Sequence, residues 1–380
     1  MHAIYLDNNA TTAVSTAVRL GIDRYYDELA GNPSSPHSPG NRARMLLEQA
    51  REEVGALIGV GAEHMVFTSG GTEGNNAVIR GARALGLRRL VGTAVEHPSV
   101  LRPLEAMVDE GLELVLLEVD AEGLVSPERL GEALLPGPAL VCIQWVNSET
   151  GVVQDIAALG AICREASSML LVDAAQAVGR MRIELSRLPV DFLTFSGHKL
   201  HAPHGIGALF VRSPRLFPSW LWGGEQEAGL RAGTQNVEGA IGLGIAARER
   251  REGLDAAITQ LSRTRDLLEG ECLERIPQTR VNGSRRSRVC NTCNLHFAGV
   301  DGQAVLAQLD ALGVYVSQSS ACSSHRVEPS YVLCAMGLSE SEAFASIRFS
   351  TSVYTNDAHI ADAVEALAQV IARLRAFTWL

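Results

Sequence analysis

The sequence predicts an α/β protein built on a mostly parallel sheet, and three observations carry that expectation. Apolar runs of strand length, Leu90–Glu96, Leu140–Val146, Met169–Val172 and Val190–Phe195, alternate with helical stretches such as Ala157–Ala166. Residues able to do chemistry, Thr72, His97, Asn147, Asp173, Gln176 and Lys199, fall in order at the carboxyl ends of those runs, where parallel sheets collect ligands. The chain has 380 residues, 46% hydrophobic and 20% charged, which is enough for two domains with separate cores.

The opening residues Met1–Asp7 show no basic stretch followed by an apolar one, the pattern of an export leader. The seven cysteines are odd in number and scattered, which points to free thiols in a reducing cytoplasm. A net charge of −10 argues against nucleic-acid binding, and no apolar run reaches membrane-spanning length.

Residues Asn41–Val60 read as an amphipathic helix, with Met45, Leu46, Ala50, Val54, Leu57 and Ile58 near helical spacing. Next, His64–Asn76 reads as a short strand, a glycine turn and a helix start. Bare amides at such a start bind phosphate, and Thr72 adds a hydroxyl; a glycine-rich turn with no ligand is the other reading. His97, at a run's end, is either a satisfied structural histidine or one that sits over an aromatic ring or shuttles protons. The run Leu140–Val146 ends at Asn147-Ser-Glu-Thr-Gly151, and Met169–Val172 ends at Asp173, a carboxylate that needs a cationic partner.

The stretch Phe195-Ser-Gly-His-Lys-Leu-His-Ala-Pro-His-Gly-Ile-Gly207 holds one lysine, Lys199, on a turn between two apolar runs. It reads as a surface lysine or as a desolvated amine able to form a Schiff base with a carbonyl cofactor. His198, His201 and His204 share a spacing of three, but Pro203 prevents a helix from presenting them together, so no metal site is expected. After Trp222 the chain is glycine-rich, and Thr234 offers another hydroxyl. A helical stretch from Gly239 to about Leu273 reads as a connector to a second domain.

Arg280, Arg285, Arg286 and Arg288 form either a solvated turn or a patch for an acidic partner. Cys290-Asn-Thr-Cys293 lacks a second pair and reads as small residues entering a strand. Cys322 sits among small polar residues, as an exposed thiol on a mobile loop or an inert cysteine. Arg348, inside the strand-like Ser346-Ile-Arg-Phe-Ser350, suits a bidentate grip on a carboxylate.

Taken together, eight stretches in order resemble the cysteine desulfurases of the NifS/IscS type. They are Leu6-Asp-Asn-Asn-Ala-Thr-Thr12, Thr68-Ser-Gly-Gly-Thr-Glu73, Glu96-His-Pro98, Val172-Asp-Ala-Ala-Gln176, Ser196-Gly-His-Lys199, Leu230-Arg-Ala-Gly-Thr234, Ser320-Ala-Cys322 and Ser346–Ser350. The resemblance runs essentially end to end. It implies a fold-type-I transferase using pyridoxal 5′-phosphate, with a large domain (15–258) on a mostly parallel seven-stranded sheet. A smaller α+β domain, 1–14 with 259–380, would carry the catalytic cysteine loop. By resemblance, Lys199 carries the cofactor and moves protons, and Asp173 pairs with the ring nitrogen. His97 stacks on the ring and Gln176 bonds its hydroxyl. Gly71, Thr72, Ser196 and His198 hold the phosphate, with Thr234 reaching across a homodimer. Asn147 and Ser148 sit where the family contacts cofactor and substrate. Arg348, with Asn8, holds the carboxylate of L-cysteine. Cys322 captures the sulfur as a persulfide, L-alanine leaves, and an acceptor such as an iron–sulfur scaffold takes the sulfur.

Some positions depart from the family pattern. Ser148 stands where a second asparagine is usual, and Ser319 where a glycine precedes Ser-Ala-Cys. Ala202-Pro203-His204 replaces Gly-Pro-Lys, and Trp222 lies where a histidine is common. The rival readings are a selenocysteine lyase or other β-eliminase and, from a different class, a weakly active scaffold for sulfur-transfer partners.

Overall fold

Alternation along each central strand builds the two faces of the main sheet. The computed structural model describes residues 3–28, 30–318 and 328–377. In chain order the strands are β1 (Ile4–Tyr5), β2 (Met65–Thr68), β3 (Arg89–Thr93), β4 (Glu113–Leu117), β5 (Leu140–Gln144), β6 (Met169–Asp173), β7 (Phe192–Ser196), β8 (Gly207–Val211), β9 (Thr279–Val281), β10 (Thr292–Phe297), β11 (Val314–Tyr315) and β12 (Ser346–Ser350). Seven of them form one sheet in the order β2-β8-β7-β6-β5-β3-β4. The strands from β7 through β4 in that order are parallel, and β8 runs antiparallel to both neighbours.

Val141, Ile143, Leu170, Val172, Leu193, Phe195, Ala208 and Phe210 enter the core on one face. Their sequence neighbours Leu140, Cys142, Leu171, Phe192, Leu209 and Val211 enter the core on the other. Both faces are thus buried, as a sheet with helices on each side requires. The register brings Gln144 beside Asp173 and Asp173 beside Thr194, so the carboxyl-terminal ends of β5 and β6 lie level and β7 continues to Ser196.

A separate core gathers Leu268, Cys272, Cys293, Leu295, Phe297, Ile347, Phe349 and Val364, together with Ile4 and Leu6 from the start of the chain. It surrounds the three-stranded sheet β12-β10-β9 and the β1–β11 pair. Cys290 belongs to the first core and Cys293 to this one, so the Cys-x-x-Cys pair diverges.

Two expected helices change their bounds. The one expected over Asn41–Val60 spans Ser38–Leu57, because the His37 side chain caps it and Pro39 lies in its first turn. The long connector is two helices, Val237–Glu252 and Leu254–Arg275, divided at Gly253. The arginine cluster is largely neutralised: Arg280 pairs with Glu342, while Arg285 and Arg288 share Glu269. Among the described residues no helix is long and apolar enough to cross a membrane.

Candidate active site

The level strand ends open into a cavity of about 220 Å³. One wall begins at Gly71, the first residue of the helix Gly71–Gly81, whose N-cap Gly70 supplies no side-chain cap. The first-turn amides therefore remain for a ligand, apart from the Gly71 N–H, which donates to Ser196 Oγ at 2.8 Å. A Cβ on Gly74 would lie 2.7 Å from Thr194 Cγ2, so glycine there lets the helix settle onto β7. Glu73 accepts from the Ser69 N–H at 2.7 Å and from Arg231 at 3.0 Å, tying this turn to the glycine-rich loop.

Asp173, at the end of β6, is fixed by its neighbours. Its carboxylate accepts from Asn75 Nδ2 at 2.9 Å and from the Ala175 N–H at 3.0 Å. Asn75 is fully buried and in turn accepts from Thr194 Oγ1 at 2.7 Å. The His97 ring accepts the Ser99 N–H at Nδ1, 3.1 Å away, which puts the ring proton on Nε2. Burial lowers the His97 pKa, Asp173 opposes this and Lys199 adds to it. Burial, with Lys199, His204 and Arg180, also pulls His198 down to about 4, so this ring is neutral near pH 7.

The N-terminal stretch crosses the lysine turn like a strap. Thr12 Oγ1 donates to the His198 carbonyl at 2.8 Å, and the His201 N–H donates to Thr12 Oγ1 at 2.8 Å. Lys199 Nζ donates to the carbonyls of Asn9 and Ala10, the latter at 2.6 Å. Thr11 Oγ1 bonds His198 Nδ1 at 3.1 Å and His204 Nε2 at 3.0 Å, and the two rings stack 5.0 Å apart. The Gln176 side chain donates to the Asn9 carbonyl at 3.0 Å and accepts from Arg180.

Arg348, on β12, enters from the second core and is 1% exposed. It pairs with Asp7 at 2.5 Å and donates to the Ser148 carbonyl at 3.1 Å, while its buried Nε has no partner among the described residues. Next to it, the backbone of Ser317 exchanges hydrogen bonds with that of Arg348. On the far side of the stretch 319–327, Ser330 Oγ donates to Glu149 at 2.5 Å and Tyr331 Oη donates to the Glu96 carbonyl at 2.6 Å.

Of the residues expected at the site, Gly71, Thr72, His97, Ser148, Asp173, Gln176, Ser196, His198, Lys199 and Arg348 all line the cavity. Two expectations are redirected. Asn8 turns its amide to the carbonyls of Tyr5 and Ser350, at 3.1 and 2.9 Å, and Asn9 lines the cavity instead. Asn147 spends its Oδ1 on the N–H groups of Glu149 and Thr150, closing the turn after β5. Thr234 is exposed and outside the cavity. Cys322 lies outside the described residues. Asn9, Asn75, Ser99 and Gln144 were not singled out from the sequence. Asn75 had a signal: it follows Thr72 by three residues, which puts both on one face of the helix.

The donor set fits pyridoxal phosphate. Uncapped helix amides beside hydroxyls suit a phosphate, a fixed carboxylate suits a ring nitrogen, and an amine lies within the same cavity.

Comparison with known proteins agrees. The family model described as aminotransferase class-V matches residues 4–362. A cysteine desulfurase of Nostoc sp. is 42% identical over 100% of this chain and 95% of its own. The cysteine desulfurase NifS of Azotobacter vinelandii is 38% identical, covering 99% of this chain and 94% of its own. The solved structure of a NifS-like protein superposes with a TM-score of 0.91 at 30% identity, covering 98% of this chain and 100% of that one. With site, fold and sequence in agreement from end to end, the chain belongs to the class-V aminotransferase family of pyridoxal-phosphate enzymes.

Proposed function

We propose that this protein is a cysteine desulfurase that converts L-cysteine to L-alanine and holds the sulfur as a persulfide on Cys322 for an acceptor. The observation that carries the reading is the meeting of Lys199, Asp173, His97 and the buried Arg348 around one cavity. Bound there, pyridoxal phosphate supplies an electron sink for the substrate's carbon skeleton.

The chain's own residues do the rest. Thr72, Ser196 and neutral His198 would hold the phosphate, with the Gly71 N–H fixing the Ser196 hydroxyl beside it, while Asp173 would face the ring nitrogen and Gln176 the ring hydroxyl. Lys199 anchors the cofactor and moves the proton at the substrate's α-carbon. His97 covers the ring and carries its proton on Nε2. Arg348, which lines the cavity, would take the substrate carboxylate, while Asp7 keeps the guanidinium oriented. Asn8 and Asn147 serve by fixing backbone, and the Ser148 carbonyl holds both Asn9 and Arg348.

We read residues 15–258 as the cofactor domain and 1–14 with 259–380 as the smaller one, and the separate second core supports this division. Thr234, exposed in the single chain, completes the phosphate site of a second copy in a homodimer. The acceptor is a sulfur-carrying or iron–sulfur scaffold protein, and the setting is the cytoplasm, in keeping with six described cysteines that are all free.

The test is release of alanine and sulfide from L-cysteine by the yellow holoenzyme with a thiol reductant, beside Cys322→Ala. Wild type should release both, and the variant should keep its cofactor and release neither. A Cys322→Ala enzyme that turns over at the wild-type rate overturns the reading.

A further inference from the structure

Arg180 is 6% exposed and sits between two openings. On one side are active-site residues: its guanidinium donates to Gln176 Oε1, to Asn9 Oδ1 at 3.0 Å and to the Asn8 carbonyl at 3.3 Å. On the other is a groove of about 710 Å³ that is also lined by Arg182, Arg265, Arg286 and Arg288. All three acceptors are neutral, and among the described residues no carboxylate lies within ion-pair distance of Arg180. The titratable groups facing it are Cys290, Arg250, Arg348, His198 and His201, and burial lowers both histidines to about 4, so neither supplies charge near pH 7. Cys290 donates its thiol hydrogen to the Arg180 carbonyl at 3.2 Å, and burial pushes that thiol up, so it supplies no negative charge near pH 7. Burial draws the guanidinium down to about 10, which leaves it charged. A buried cation without a countercharge is costly, and an anionic atom brought into the adjoining cavity would offset part of that cost.

We propose that Arg180 is a positioning residue for the cofactor, acting through Gln176. By donating to the amide oxygen it fixes which way the amide points. One Nε2 hydrogen goes to the Asn9 carbonyl at 3.0 Å, and the other is left for the ring oxygen of the bound cofactor. Donation into the carbonyl also polarises the amide and strengthens that second N–H. The ring oxygen is then the countercharge of the buried guanidinium, relayed through one side chain. The inference rests on the reading of Gln176 as the partner of the ring hydroxyl.

The experiment is a pH titration of the visible absorbance of the holoenzyme without cysteine. A nearby cation favours the proton-poor form of the chromophore, so its removal raises the midpoint. Arg180→Met should raise it by about one pH unit, and Arg180→Lys should restore most of the shift. Gln176→Met should raise it similarly, and the double variant should show no further shift, because both changes cut one relay. Asp173, Lys199, His97 and His198 lie around the same cavity but are common to every variant. If Arg180→Met fails to fold, Gln176→Met and Arg180→Lys carry the test. An unmoved midpoint in Arg180→Met overturns the proposal, as does full additivity. An unmoved midpoint combined with inorganic phosphate stabilising wild type but not Arg180→Met also overturns it, and assigns the countercharge to the groove. Since no cysteine is turned over, failure of the desulfurase reading leaves this outcome intact.

Discussion

Buried between the Thr93 hydroxyl and the Gln144 N–H, which donate to it at 2.8 Å each, the Glu96 carboxyl sits one residue before His97. Burial raises its pKa from the ordinary 4.5 to about 8; the two hydrogen bonds pull the other way, and Asp173 adds to the rise. The folded protein therefore keeps a proton that the unfolded chain releases above 4.5, so stability falls as pH climbs from 4.5 to about 8. Glu96→Gln, whose amide oxygen can accept the Gln144 N–H while its NH2 donates to a turned Thr93 hydroxyl, should melt higher than wild type at pH 8 and converge with it toward pH 5. Thermal melts across that range check this, and parallel curves would refute it. Such residue-level detail was only partly legible in the sequence. Strand-end position identified Asp173 and Lys199, because chain direction alone places them. It could not choose between Asn8 and Asn9, whose side chains diverge only once the strap is laid across Lys199.

The helix Gly71–Gly81 works by lying close to β7. With Thr194 Cγ2 only 2.7 Å from where a Cβ would stand, Gly74→Ala must push the helix away or move the strand. Overpacking of this kind costs about 1–3 kcal/mol, and the displaced first turn should hold phosphate less well. Thermal melts and cofactor retention on dialysis measure both effects, and a variant that retains cofactor and melts like wild type contradicts the packing argument. The strands themselves were legible because each face of the sheet is buried and the runs are apolar throughout. The antiparallel direction of β8 also has a sequence reason: the link from Ser196 to Gly207 is shorter than a parallel crossover needs. The break at Gly253 was missed, since helical periodicity continues on either side of it.

At the scale of the whole molecule, the cavity draws on both cores: Lys199 and Asp173 come from the large sheet and Arg348 from the small one. Each half alone therefore lacks part of the cavity's lining. The proposed homodimer makes one further demand. Thr234→Ala should lower cofactor retention several-fold without changing the mass of the assembly, read by absorbance after dialysis and by light scattering. Unchanged retention removes Thr234 from the site. Composition, periodicity and spacing in one chain do not show whether this hydroxyl serves its own cavity or a neighbour's, since that depends on how two copies meet; the expectation comes from the family resemblance alone.

The chain enters the stretch 319–327 at Ser317 and Gln318, pinned to Arg348 and Phe344, and leaves it toward Ser330 and Tyr331, pinned to Glu149 and Glu96. Cys322 follows Gln318 by four residues, and a fully extended chain covers at most about 14 Å in that distance. That length is measured from Gln318, whose neighbour Ser317 is hydrogen-bonded to the cavity-lining Arg348. Under the proposed function, a protein that collects sulfur from the Cys322 thiol has to bring its own receiving atom inside that radius. Delivery is accordingly a question of which surfaces can be seated that close to Gln318, and a partner docked elsewhere on the molecule would be out of reach.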